Sequence, residues 1–111
     1  MIFGRFWQRF GPRQEKRPVA IRTVHVMISG RVQGVGYRAW TAREADRRGL
    51  SGWVCNRRDG SVEAVFSGEA EAVAAMLVAV HDGPGGARVD AVESSDYASV
   101  VTGLFTVRPT Y

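Results

Sequence analysis

The chain has a single cysteine, Cys55, so no internal disulfide can form and a cysteine-bound metal site is not expected. No apolar run approaches the ~20 residues that a membrane-spanning helix needs. The opening stretch MIFGRFWQRFGPRQEKRP is broken by charge and glycine, and lacks the continuous apolar middle of a signal peptide. These absences make a reducing cytoplasm the expected location. There is no internal repeat and no low-complexity segment. Nor is there a basic surplus in the body of the chain. The formal net charge is +4, yet residues 1–20 alone carry Arg5, Arg9, Arg13, Lys16 and Arg17 against Glu15. The remaining 91 residues hold ten basic and ten acidic side chains. A nucleic-acid partner, which calls for a basic face against phosphates, is therefore not expected.

What is there fits one domain of 111 residues, 45% of them hydrophobic. Residues 1–20 read as a basic, aromatic extension and residues 21–111 as the domain itself. In the extension, Phe3, Phe6, Trp7 and Phe10 fall at helical spacing, but Gly4 and Gly11-Pro12 weaken a helix. A mobile or locally docked extension is expected, with membrane or partner contact through residues 1–17 as the lesser alternative.

Within the domain, IRTVHVMIS alternates, with Val24, Val26 and Ile28 on one face, and reads as a strand. YRAWTAREADRRG reads as a helix with a basic last turn and Gly49 as its stop. LSGWVCN and SVEAVFS are short strands joined by RRDG, where Asp59-Gly60 signals a hairpin because both residues tolerate positive φ. In EAEAVAAMLVAVHDG, Val73, Met76, Leu77 and Val80 form one helical stripe that Gly83-Pro84 ends. ARVDAVESS and GLFTVRP read as two further strands. The order β-α-β-β-α-β plus one strand predicts an α+β, ferredoxin-like (split βαβ) sandwich. It has an antiparallel sheet of four to five strands with two helices on one face.

GRVQGVGYR, Gly30 to Arg38, runs from the first strand directly into the first helix. Free amides and the positive dipole end favour an anion there, and glycines let the backbone curl around it. Arg38 can present a planar fork to two oxygens. Alone, such a loop serves equally well as a tight βα turn with a surface arginine. It has neither the Lys-Ser/Thr of a Walker loop nor the spacing of a dinucleotide fingerprint. It also contains no acid, histidine or serine to attack or deprotonate a substrate.

A second stretch, GWVCNRRDGSVE, taken with that loop, resembles the acylphosphatase family, and GPGGARVD is similar to the family's link from second helix to fourth strand. The resemblance covers roughly residues 22–108. It implies that Arg38 binds phosphate, that Asn56 positions the attacking water, and that Val32, Gln33, Gly34, Val35, Gly36 and Tyr37 form the backbone cradle. It further implies a small-molecule acyl phosphate as substrate and inorganic phosphate as product and inhibitor. No metal, no cofactor and a monomer are expected. Cys55 departs from the arginine common in bacterial members, and residues 1–20 have no counterpart in a minimal member.

The missing base then has an explanation. A carboxylate leaves without a proton, and a loose phosphoryl-transfer transition state asks for charge stabilisation and an aligned water. His25 and His81 read as structural, Asp59 as a turn residue, and Trp40 and Trp53 as core or sheet-face aromatics. Arg57 and Arg58 flank the hairpin as anion attractors or solvated charges. Cys55 alternates with Asn56, so it faces the other side of the sheet and reads as packing. The alternative function is a non-catalytic ferredoxin-like module binding nucleic acid or protein. An RNA-binding version would need paired aromatics on the central strands, where only Phe66 occurs, on the core face. A module of a larger carbamoyl-transfer protein is disfavoured by the lack of zinc-ligand cysteines.

Overall fold

The computed structural model describes residues 19–111. The expectations for residues 1–18 lie outside the described residues. Five strands and two helices follow in order: β1 (Ile21–Arg31), α1 (Tyr37–Arg47), β2 (Ser51–Asn56), β3 (Val62–Glu69), α2 (Ala70–Ala79), β4 (Arg88–Asp96) and β5 (Thr106–Val107). They form one sheet in the order β4-β1-β3-β2-β5. Among the described residues no helix is long and apolar enough to cross a membrane.

The alternation read in β1 sets the register of the core. Val24 lies opposite Phe66, Val26 opposite Ala64 and Ile28 opposite Val62. All six are buried, as are Val73, Met76 and Val80 from the stripe of α2. Burying side chains of this size stabilises by roughly 1.5–3 kcal/mol each before entropy is set against it. Leu77, at the margin of the stripe, is only partly buried.

Two details differ from the sequence reading. The sheet is antiparallel through four strands, but β5 lies parallel to β2, with Trp53 beside Thr106 and Val54 beside Val107. The long connection from β4 brings the chain in from the opposite edge of the sheet, which sets that direction. The hairpin between β2 and β3 is also not a two-residue turn. Arg57 N–H donates to Ser61 O at 2.8 Å around Arg58-Asp59-Gly60, and only Gly60 has positive φ, at 96°. Asp59 stays in ordinary φ space and accepts from the Ser61 backbone N–H at 2.9 Å. A side-chain turn replaces the mirror-image one.

Gly52 marks the closest backbone approach in β2. Its φ is 132°, and a Cβ there would stand 1.8 Å from the Val65 carbonyl oxygen. Gly34 has φ 76° but open space around it. Gly52→Ala should therefore destabilise by about 2–4 kcal/mol and Gly34→Ala by about 1 kcal/mol, read from urea unfolding midpoints. Equal losses would show that steric approach at Gly52 is relieved by the sheet.

Candidate active site

The loop between β1 and α1 enters the helix through Gly36, which has φ 79° and caps α1 with no side-chain hydrogen bond. Left-handed conformations at Gly34 and Gly36 turn the chain sharply into the helix. The first turn of α1 holds no acidic residue. Its uncapped amides and the helix dipole thus remain available to an outside anion.

A pocket of about 330 Å³ opens at this end of the sheet. The loop side contributes Val32, Gly34, Gly36 and Tyr37, the helix contributes Arg38 and Ala39, and the strands contribute Asn56 and Val107. Arg38 and Asn56, separated by 18 positions in the sequence, thus face the same space. Among the described residues Arg38 pairs with no carboxylate. Its NH1 lies 3.5 Å from the Arg108 carbonyl oxygen, a weak contact that leaves the guanidinium free for a stronger acceptor.

Asn56 ends β2 next to the hairpin. Its Oδ1 is buried, and no donor among the described residues satisfies it. A buried acceptor without a partner is costly and rare enough to call for a reason.

Two residues of the loop also use their side chains to hold it in place. Tyr37 is a buried pillar. Its hydroxyl donates to Val80 O at 2.5 Å, its ring tilts against Trp40 at 5.4 Å, and burial pushes its ionisation far above the ordinary phenol range. Gln33 Nε2 donates to Arg57 O at 2.7 Å and Ser61 O at 2.8 Å, across to the hairpin. Neither Gln33 nor Val35 lines the pocket.

Sequence reasoning missed the contribution of residues 106–111. Val107 forms one wall, Arg108 N–H donates to Val54 O at 2.8 Å, and Tyr111 N–H donates to Asn56 O at 3.0 Å. The parallel pairing of β5 with β2 put them there; the sequence showed a strand in GLFTVRP but not the neighbour it would join. Arg108 lies with its guanidinium 4.3 Å from the Trp53 ring centre. Arg57 is not a free anion attractor, since it pairs with Glu63 at 3.0 Å and lies 5.2 Å from the Tyr111 ring centre. His25 holds the other Glu63 oxygen at 2.6 Å, and His81 meets the Leu77 carbonyl at 2.9 Å. Cys55 is 1% exposed on the face away from Asn56's pocket, and burial first, then the Glu63 charge, pushes its thiol up. Among the described residues no group of three or more metal-ligating side chains occurs.

The family model described as Acylphosphatase matches residues 24–106. This chain belongs to the acylphosphatase family. An acylphosphatase of Nitrobacter hamburgensis is 62% identical over 74 residues, spanning 67% of this chain and 75% of the relative. One from Rhodospirillum rubrum is 48% identical over 89 residues, covering 80% and 98%. The solved acylphosphatase of Coxiella burnetii superposes with a TM-score of 0.77 at 33% identity, covering 79% of this chain and 93% of that one. The chain is an enzyme of this family, a hydrolase whose substrate is an acyl phosphate and whose product is inorganic phosphate.

Two expectations about the acylphosphatase scaffold follow. Tyr37→Phe strands the buried Val80 carbonyl and should cost about 1–3 kcal/mol of stability while leaving turnover at low temperature nearly intact. A thermal melt beside a turnover assay separates the two. Cys55 in the native protein should react with a thiol reagent far more slowly than in urea, because its thiolate is disfavoured and covered. Rapid native modification would show that the sheet face opens.

Proposed function

We propose that Arg38 and the amides of the 32–38 loop bind the phosphoryl group of the acyl phosphate, and that Asn56 Oδ1 aligns the water that attacks phosphorus. The carrying observation is the unsatisfied, buried Oδ1 of a residue that shares its pocket with Arg38 and an uncapped helix N-terminus. Arg38 supplies a fixed positive fork where charge spreads over the phosphoryl oxygens. The carboxylate departs unprotonated, so the pocket needs no general acid. Among the described residues its lining contains no carboxylate or imidazole. The proton of the water passes to the phosphoryl oxygens.

Residues 21–111 are on this reading the whole catalytic unit, since the pocket and the matched residues 24–106 lie within them. A chain lacking residues 1–18 should keep its turnover. The reading takes the protein as a metal-independent monomer of the cytoplasm, where a lone buried thiol suits a reducing milieu. The alternative of an RNA-binding module is weakened by the burial of Phe66, which removes the one aromatic on the central strands.

Arg38 and Asn56 should fail in different ways. Arg38→Ala should weaken inhibition by inorganic phosphate and lower turnover of benzoyl phosphate about a thousandfold, roughly 3–5 kcal/mol. Lysine should restore little, because a point charge cannot reproduce the fork. Asn56→Ala should lower kcat severely with phosphate inhibition nearly unchanged. Equal loss of phosphate affinity in both variants would make Asn56 an anion ligand and leave the water to another group. Turnover should survive a chelator, and an alkyl phosphate, whose leaving group needs a proton, should be a poor substrate. Chelator-sensitive turnover restored by magnesium would overturn the mechanism.

A further inference from the structure

The cradle and the water-positioning residue come from different parts of the fold. The loop carrying Gly34, Gly36 and Arg38 leaves β1, while Asn56 sits at the end of β2, and β3 lies between those two strands. Sheet pairing ties Asn56 to Val62 and Val62 to Ile28, but the β1–β3 ladder ends there, before the loop at residues 32–36. In-line attack depends on the distance from Asn56 to the bound phosphorus, and so on how the loop sits against the hairpin.

One side chain spans that gap. Gln33 immediately precedes Gly34, and Arg57 immediately follows Asn56. The Gln33 amide donates both of its N–H protons, one to Arg57 O at 2.7 Å and one to Ser61 O at 2.8 Å. The two carbonyls stand on opposite sides of the same turn, which is itself closed by Arg57 N–H to Ser61 O and Gly60 N–H to Arg57 O. Two acceptors at the tip require the NH2 end of the amide there, so the orientation is determined by its partners. With both protons used, the side chain has no donor left for phosphate, and its Oε1 would repel one.

We propose that Gln33 is a positioning residue for hydrolysis, acting through the hairpin to set Asn56 and its water against the phosphate held by the loop. The proposal rests on the reading of Arg38 and Asn56 given above. The Gln33 side chain touches neither substrate nor water. It joins the two half-sites at the residues next to each, so its loss lets Asn56 drift relative to phosphorus while each half-site stays whole.

The test is a double-mutant cycle on the full chain with benzoyl phosphate as substrate and inorganic phosphate as inhibitor. Methionine is close to glutamine in length and has no donor. Gln33→Met should lower kcat about 10- to 100-fold, the scale of a misplacement near 1 Å, with phosphate inhibition changed less than about twofold. In the Asn56→Ala background the same substitution should cost almost nothing more, because the group it positions is gone. A merely structural glutamine would lower the melting temperature and multiply its loss onto that of Asn56→Ala. Either that multiplication, or wild-type kcat in Gln33→Met, or a loss of phosphate affinity matching the loss of kcat, overturns the proposal. If circular dichroism shows Gln33→Met unfolded, Gln33→Asn serves in its place: it keeps the donors but is one methylene too short, and the same pattern is expected. Full turnover in Asn56→Ala would sink the assignment of Asn56 instead, and the single variants tell the two failures apart.

Discussion

The first turn of α1 carries amide protons that no side chain caps, because Gly36 stands where serine, threonine or aspartate would ordinarily accept them. A helix end left this way is a standing electrostatic demand for a negative group. Most of the architecture around the pocket serves to hold it in place. Tyr37, the first helical residue, is pinned to Val80 at the end of α2, and Gly83 leaves its ring room, since a Cβ there would stand 2.6 Å away. Thr41 donates back to Tyr37 O at 2.8 Å one turn later. The start of α1 is therefore tied to the end of α2 beside the pocket.

The chemistry of the pocket follows from what is kept out of it. Glu63 is the acid nearest Asn56 in the ladder of β2 and β3, yet it belongs to the opposite face with Cys55. There it is held between His25 and Arg57. Strand alternation separates this acidic face from the face that carries Asn56 and the pocket. Among the described residues the pocket lining thereby holds no carboxylate. Arg57 is satisfied on that far side, which leaves Arg38 as the cation of the pocket lining.

Much of this was legible in the sequence, for definite reasons. Periodicity exposed β1 and α2, because Val24, Val26 and Ile28 repeat every second residue and Val73, Met76 and Val80 follow helical spacing. The tight entry into α1 at the glycines 34 and 36, with the arginine at 38 beside it, was readable because that pattern is local. Other features were not local. The clamp from Gln33 spans 24 and 28 positions, and the pillar from Tyr37 spans 43. The sequence placed Gln33 in the loop but gave no sign of where its side chain bonds. The turn at Asp59-Gly60 was found, but its type depended on the Asp59 side chain choosing Ser61 over a left-handed backbone. The parallel direction of β5 came from the route of the chain across the sheet, on which residues 106 and 107 carry no information.

That last strand has a bearing on heat. Phe105 anchors it in the core against Phe66, with ring centres 5.7 Å apart, but Val107 is 48% exposed and Tyr111 is exposed as well. Beyond Phe105 the segment is held mainly by backbone bonds open to solvent, and such pieces fray at a smaller free energy than the whole domain. When it frays, the pocket loses a wall and Arg38 loses the carbonyl beside it, while the core of β1, β3 and the helices is untouched. On heating, turnover should then fail first at this edge of two residues, before the fold melts.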